Sequence, residues 1–295
     1  MNTPRAPIRR IVLIGRHRAD PVRQVLEALA TRIGLAGAQA LIEAQTATDY
    51  GDAGLPVVHY AGIGRHADVA LVVGGDGALL HAARALAPQQ VPLAGVNLGR
   101  LGFMTDIARD HIDQAIGQLL AGEFRPEQRL MLRATVFRGE GNVFSTPALN
   151  DVVVSKGAWG RMIELRVDID GEFLFVLRAD GLIVSTPTGS TAYAMSAHGP
   201  ILHPGVAGIA VVPLCPHALT YRPITISDHS QIRITLLSPY EGAIHCDGQE
   251  DFALHADDCI EITRMDCPAI FLHPPGYRYF AMLREKLHWS ASPKY

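Results

Sequence analysis

The spacing of apolar residues changes period once along this chain, and that change limits the folds open to it. Up to about residue 125, short apolar runs alternate with segments whose apolar residues recur every three or four positions. Residues 11–15 form such a run, ending in glycine. Val22, Val25, Leu26, Leu29 and Ile33 then fall on one face of a helix. Further strands are expected at 39–42, 68–73 and 91–96. Further helices are expected at 79–86 and where Ile112, Ala115, Ile116 and Leu119 line one side. Alternation of this kind predicts an α/β domain over residues 1–125, Rossmann-like, with a parallel sheet covered by helices on both faces.

From Leu130 to about Leu272 the period is mostly two. Ile163, Leu165, Val167 and Ile169 alternate with Glu164, Arg166 and Asp168, and Asp170-Gly171 supplies a hairpin turn before residues 173–177. Short strands fit 152–154, 209–212, 224–226, 232–236, 244–246 and 260–263. An all-β, sandwich-like second domain over residues 126–272 accommodates them. Residues 277–289 return to helical spacing, with Phe280, Leu283 and Leu287 on one side. That helix is too short to stand alone, so the tail 273–295 is expected to complete the first domain.

Composition removes several functions. A length of 295 residues suits two domains, and 48% hydrophobic with 19% charged residues suits a globular enzyme. A net charge of -3 argues against nucleic-acid binding, which calls for a basic field. No apolar run approaches the roughly 18 residues of a membrane span. Residues 11–14 are too few for a signal-peptide core, so a cytoplasmic protein without a membrane partner is expected. Cys215, Cys246, Cys259 and Cys267 form no C-x-x-C pair. They are expected to be reduced and mostly buried.

Four segments carry chemistry. Gly74-Gly75-Asp76-Gly77 stands directly after an apolar strand and before a helix. Glycines there free the backbone, and the helix offers unpaired N–H groups to phosphate. A carboxylate in such a place repels phosphate unless it accepts a proton from an attacking hydroxyl or holds a metal ion. Asp76 as a simple helix N-cap is an equal alternative. Residues 185–196 follow the strand Leu182-Ile183-Val184 and cluster five hydroxyls, Ser185, Thr186, Thr188, Ser190 and Thr191, round Pro187 and Gly189. Such a cluster caps a helix or faces a polyhydroxylated ligand. Asn97-Leu98-Gly99-Arg100-Leu101-Gly102-Phe103-Met104 begins at the C-terminal end of a strand, where open α/β sheets bind ligands. Phe103 walls a pocket there or joins the core. Asn150-Asp151, before Val152, either grips ribose hydroxyls or opens the strand as an Asx-turn. The chain has no G-x-x-x-x-G-K-[ST], no G-x-G-x-x-G after the first strand, and no H-R-D or D-F-G. P-loop, conventional dinucleotide-fold and protein-kinase chemistry are thereby excluded.

In this order the segments resemble the NAD kinase family: GGDG at 74–77, NLGRLGF at 97–103, Asn-Asp at 150–151, DGLIVSTPTGSTAYAMSAHGP at 180–200 and, more weakly, CDGQ at 246–249. GGDG alone is shared with lipid kinases and phosphofructokinases; the stretch 180–200 is what makes the match specific. The resemblance implies an enzyme that uses ATP, with Mg²⁺, to phosphorylate the adenosine-ribose 2′-hydroxyl of NAD. It implies Asp76 as proton acceptor, with Asp76 and Gly77 at the NAD ribose. Asn150, Asp151, Arg161, Arg178 and Asp180 would hold NAD. Thr191, Ala192, Tyr193, Ala194, Met195 and Ser196 would wall the dinucleotide, and Gln249 would add a contact. No protein metal ligand is implied. Arg161 and Arg178 could each pair with a pyrophosphate, although an exposed strand arginine is an ordinary alternative. Arg178 resembles the ATP-dependent, NAD-selective branch, rather than members that use polyphosphate or NADH. The family implies a homodimer or homotetramer.

Three positions depart from the pattern: Ala78 stands where a small polar residue is frequent, Asp151 where glutamate is usual, and Arg100 where the family varies. Two other functions fit parts of the sequence. A lipid or sphingoid kinase would explain GGDG but not residues 185–196, and a non-catalytic NAD(H) sensor would not need Asp76. Among the thirteen histidines only His198, beside the hydroxyl cluster, invites a test.

Overall fold

A strand such as Ile11–Ile14, apolar on both faces, has to be covered on both sides. The computed structural model describes residues 7–16, 20–99, 102–157, 160–237, 239 and 241–289. Arg100 and Leu101 of the NLGRLGF segment, and 290–295 of the tail, lie outside the described residues.

The chain begins β1 (Arg10–Gly15), α1 (Asp20–Leu35), β2 (Gln39–Glu43), α2 (Ala44–Tyr50), β3 (Val57–Val58), α3 (Ile63–His66), β4 (Val69–Val73) and α4 (Asp76–Leu86). It continues with β5 (Leu93–Asn97), β6 (Ile107–Ala108), α5 (Ile112–Leu120) and β7 (Arg125–Arg129). Then come β8 (Leu132–Arg138), β9 (Gly141–Ala148), β10 (Asp151–Lys156), β11 (Ile163–Ile169), β12 (Glu172–Ala179), β13 (Gly181–Ser185), α6 (Tyr193–Ser196) and β14 (Gly208–Leu214). The last elements are β15 (Ile224–Ser227), β16 (Ile232–Leu236), β17 (Gly242–Cys246), β18 (Glu250–Leu254), β19 (Cys259–Arg264), β20 (Ala269–His273) and α7 (Tyr279–Leu287).

In the first unit the strands run β3-β2-β1-β4-β5-β20-β7, with β6 beside β5. The pairs from β3 through to β20 are parallel. The C-terminal ends of these strands therefore share one edge, which carries Arg16, Glu43, Gly74, Asn97 and His273. Ile11, Leu13, Val69, Leu71, Val73, Ala94 and Val96 pack with residues of α1 and α5 on one face. The alternate residues point the other way. There Leu79 of α4 approaches the Cα of Gly95 so closely that an added Cβ would stand 3.0 Å from it. Helices cover both faces, as the spacing predicts.

The second unit consists of two six-stranded antiparallel sheets, β15-β14-β13-β10-β17-β18 and β12-β11-β16-β19-β8-β9. Val152, Val154, Leu182, Val184 and Ile244 from one sheet and Leu165, Val167, Ile234, Ile260 and Ile262 from the other close a single dry core. The hairpin at Asp170-Gly171 turns with both residues at positive φ, 53° and 80°, the conformation for which that residue pair is suited.

The chain divides into Met1–Gln128 with Ala269–Tyr295, and Arg129–Pro268. Residues 126–128 and 269–272, read from the sequence as part of the β domain, thus fall with the first unit. The cause is β20, whose Phe271 pairs with Leu93 of β5 in parallel. Its residues alternate no differently from those of an antiparallel strand. In α7 only Leu283 is buried, whereas Phe280 is 62% exposed, so the apolar stripe expected there is narrower than three residues. Of the four cysteines, which are free, only Cys246 is fully buried and Cys215 is exposed, a correction to the expectation that most are buried. No helix among the described residues is long and apolar enough to cross a membrane.

One polar cluster fastens the far end of the first sheet. His273, at the end of β20, is 3% exposed. Its Nδ1 meets the Asp106 carboxylate, and its Nε2 stands 2.8 Å from Glu127 of β7. Tyr277 stacks on its ring at 3.9 Å. Removing the imidazole leaves two carboxylates facing each other without the cation or donor between them. His273→Ala is expected to lower stability by about 2–3 kcal/mol. In urea unfolding the midpoint should drop while the slope stays that of the wild type.

Candidate active site

The carboxylate of Asp76 is held by the backbone of another loop. Asp76 is the first residue of α4, and the N-cap before it, Gly75, provides no side-chain cap. The Asp76 side chain is turned away from its own helix, against the N-cap reading of the GGDG segment. Its Oδ2 accepts the Phe103 N–H at 2.7 Å, and its Oδ1 accepts the Met104 N–H at 3.0 Å. The Thr105 hydroxyl lies 3.5 Å from Oδ1. That hydroxyl is itself fixed, since its oxygen accepts from Asn97 Nδ2 at 2.9 Å and from the Gly102 N–H at 2.9 Å. Asn97 in turn accepts the Gly99 N–H at 2.8 Å.

Gly102 lies directly against the Asp76 carboxylate, and a Cβ there would stand 1.9 Å from Oδ1. The NLGRLGF segment is thus a holder for the Asp76 side chain, and its second glycine is fixed by contact. Gly74, at φ 155°, makes the turn from β4 into α4, where a Cβ would stand 2.8 Å from Cβ of Ala78. Ala78 is buried, so the departure from a polar residue is a packing choice in this chain. Gly75 and Gly77 are exposed beside Asp76, which leaves the amino end of α4 open.

A second constellation lies within the β unit. The turn between β17 and β18 puts Asp247 and Gly248 at φ 57° and 60°. Asp247 folds back on the start of β10. Its Oδ1 accepts the N–H groups of Asn150 at 2.7 Å and Asp151 at 3.1 Å, and its Oδ2 accepts that of Leu149 at 2.8 Å. From the other side Thr186 donates its hydroxyl to the Leu149 carbonyl at 2.5 Å, and its own N–H donates to the Asn150 carbonyl at 2.9 Å. Gly189 packs so tightly on Asn150 that a Cβ would stand 2.0 Å from the Asn150 carbonyl oxygen. A cavity of about 530 Å³ opens here, lined by Asn150, Asp151, Ala192, Tyr193, His245, Asp247 and Gln249 among others. That volume is typical of small-molecule sites. The Asp151 carboxyl is pushed up to about 7, first by burial and then by the Asp247 charge beside it.

The residues proposed from sequence separate into groups. Asn150, Asp151, Ala192, Tyr193 and Gln249 meet at this cavity. Asp76 and Gly77 stand together at the start of α4 in the first unit. Ala194 points its methyl into the core beside Ile183, Ala210 and Val212, so its side chain lines nothing. Thr191 donates to the Thr188 carbonyl at 3.3 Å, Met195 is half-buried and Ser196 is exposed. None of these three is among the residues lining the cavity. Arg178 is exposed on β12, opposite Glu164. Asp180 pairs with Lys156 at 2.8 Å. Arg161 is exposed just before β11. These three also lie outside the cavity lining.

The hydroxyl cluster is largely consumed internally. Ser185, Thr186 and Ser190 are fully buried, and Ser190 donates to the Pro187 carbonyl at 2.6 Å while accepting from the Leu202 N–H at 2.9 Å. These hydroxyls shape the loop instead of facing a ligand. His198 takes φ 60° just after α6, with its N–H on the Met195 carbonyl. Sequence reasoning missed Asp247. The signal was present in the Asp247-Gly248 pair, a hairpin dipeptide, but the strand after it, Glu250–Leu254, begins with two acids and did not read as one. No three His, Cys, Asp or Glu side chains converge as a metal cage among the described residues.

Comparison with known proteins gives these two constellations a common context. Residues 57–124 match the model of the ATP-NAD kinase N-terminal domain, and residues 149–273 that of the ATP-NAD kinase C-terminal domain. The NAD kinase of Azoarcus sp. (strain BH72) is 53% identical over 291 residues, covering 98% of this chain and 99% of that one. That of Aromatoleum aromaticum is 52% identical over 285 residues, covering 96% and 95%. The fold is also that of yeast NADH kinase, solved with NADH, at a TM-score of 0.88, 24% identity and coverage of 98% and 90%. An NAD kinase from Archaeoglobus fulgidus, solved with ATP, follows at 0.72, 22% identity and coverage of 95% and 98%. Likeness to sphingoid or lipid kinases rested on GGDG alone, whereas these matches run from one end of the chain to the other. With both domain models matched in order and more than half of all residues shared with a full-length relative, this chain belongs to the NAD kinase family.

Proposed function

We propose that the chain transfers the terminal phosphate of ATP to the adenosine-ribose 2′-hydroxyl of NAD, giving NADP and ADP. The observation that carries this reading is the Asp76 carboxylate, fixed by two backbone N–H groups at the open amino end of α4. A ribose hydroxyl is a weak nucleophile at neutral pH. Transfer therefore needs a base, an in-line approach and neutralised phosphate charge. Asp76 takes the hydroxyl proton as the oxygen–phosphorus bond forms and the bond to the β-phosphate oxygen breaks. The exposed glycine-rich turn lets the donor phosphates approach the positive end of the α4 dipole. A divalent cation such as Mg²⁺ would supply shielding of the donor's phosphate charge.

In the β unit, Asn150 and Asp151 hold the ribose hydroxyls of NAD and Tyr193 offers its ring as a wall. Ala192 and Gln249 add contacts, whereas Gly77, Thr191, Ala194, Met195 and Ser196 are assigned to NAD by the family pattern. Arg161, Arg178 and Asp180, outside the cavity, are assigned to NAD by the family pattern alone. The working form is a homodimer or homotetramer in the cytoplasm.

The direct test is incubation with ATP, Mg²⁺ and NAD, read by an NADP-specific dehydrogenase; absence of NADP refutes the reading. Asp76→Asn is expected to reduce kcat by about a hundredfold or more while leaving the Kd for NAD nearly unchanged. Gly102→Ala, which touches no substrate in this account, is expected to reduce kcat by about tenfold or more by driving the Asp76 carboxylate off its donors. Unaltered turnover in Gly102→Ala removes the holding role of that loop.

The pH dependence follows from Asp151. Only its ionised form accepts hydrogen bonds with both oxygens, and with its carboxyl near 7 that form is lost as pH falls through neutrality. The kcat/KM for NAD should therefore fall from pH 8 to pH 6, approaching about tenfold per unit below the midpoint. In Asp151→Asn the value should be lower and flat over the same range.

A further inference from the structure

Arg16 carries a charge that the described protein does not neutralise. Its guanidinium Nη1 is sealed from solvent and has no hydrogen-bond partner. No carboxylate stands within ion-pair distance of it among the described residues. Glu43, on the neighbouring strand, is committed elsewhere, since its oxygens accept the Gln45 and Thr46 N–H groups and the Thr46 hydroxyl at 2.8–2.9 Å. A partly buried, unpaired guanidinium is costly, and such groups ordinarily have an anion to meet.

The position of Arg16 indicates where that anion arrives. Arg16 directly follows β1, at the edge where the strand ends meet. Its backbone N–H bonds the Val73 carbonyl, and its own carbonyl would lie 3.8 Å from a Cβ on Gly74. Leu13 and Ile11 face α1, so by alternation Arg16 lies on the opposite face with Ile14 and Val12. That is the face covered by α4. Its charge is felt by Tyr60, and the Tyr60 ring meets His81 of α4 edge-on at 5.7 Å. The guanidinium therefore belongs to the neighbourhood of the Gly74–Gly77 turn, where the first residues of α4 have no side-chain cap.

We propose that Arg16 is a phosphate-binding residue for the triphosphate donor, pairing with the donor's phosphate oxygens beside the amino end of α4. This rests on the kinase reading above. An arginine in this place supplies what the Gly74–Gly77 turn lacks, a fixed positive charge. It offsets the repulsion between the triphosphate and Asp76, which the base must otherwise face alone.

The test compares Arg16→Gln and Arg16→Lys with the wild type by steady-state kinetics and by calorimetry with inorganic triphosphate. In Arg16→Gln the KM for ATP should rise about tenfold or more with the KM for NAD unchanged, and Arg16→Lys should recover part of the loss. Triphosphate should bind the wild type and bind Arg16→Gln at least tenfold more weakly. Because the guanidinium has no partner among the described residues, the melting temperature of ligand-free Arg16→Gln should be no lower than that of the wild type. An unchanged KM for ATP, equal triphosphate affinity, or a destabilised Arg16→Gln overturns the proposal while leaving NADP formation by the wild type intact. Should the wild type make no NADP, the kinase reading fails, and the triphosphate titration still decides the role of Arg16.

Discussion

Two backbone N–H groups and one missing side chain determine the chemistry available to the first unit. A carboxylate at the start of a helix normally turns back to cap it, because the unpaired N–H groups of the first turn are the nearest donors. Here the Asp76 carboxylate is turned instead toward the Phe103 and Met104 N–H groups. The N-cap residue of α4, Gly75, has no side chain to cap the helix in its place. The arrangement depends on Gly102, since no other residue allows the loop to come so near. It depends also on Thr105, whose hydroxyl oxygen gathers the Asn97 amide and the Gly102 N–H at one point.

In the β unit a similar device serves a different end. Asp247 has its negative charge spread over three N–H groups from consecutive residues, and this sets the direction of the 149–151 segment. Its cost is electrostatic. Asp151 has a second carboxylate close by in a poorly solvated place, and the repulsion, added to burial, raises its proton affinity toward neutral pH. A structural anchor and a pH-sensitive carboxyl are therefore one arrangement seen from its two carboxylates. Replacing glutamate by aspartate at position 151 shortens the side chain and keeps it beside Asp247.

Much of this was legible in the sequence where one local rule was enough. The alternation of strands and helices, the Asp170-Gly171 hairpin and the apolar face of α1 follow from period and turn chemistry alone. What escaped depends on residues far apart in the chain. Strand β20 belongs beside β5, some 175 residues earlier by number, and nothing local in Ala269–His273 distinguishes a parallel partner from an antiparallel one. The hydroxyls of residues 185–190 read equally well as ligand contacts or as scaffold, because composition gives hydrogen-bonding capacity and not its direction. Their partners, Leu149, Asn150 and Leu202, decided the matter. Asp247 was hidden for the same reason, since its three donors lie about a hundred residues upstream.

The two units treat charge in opposite ways, and that difference has a chemical logic. The cavity near Asn150 and Asp151 is acidic, with Asp247, Glu250 and Asp251 on its wall. A triphosphate offers several negative charges close together, for which an acidic site is unsuitable. At the start of α4 the Asp76 carboxylate has both its oxygens hydrogen-bonded to backbone. Glycines flank that carboxylate, and Arg16, whose guanidinium has no ion-pair partner among the described residues, directly follows the adjoining strand. A site that must admit a polyanion next to a base has few other solutions, because each further acid would add to the barrier that the base is there to lower.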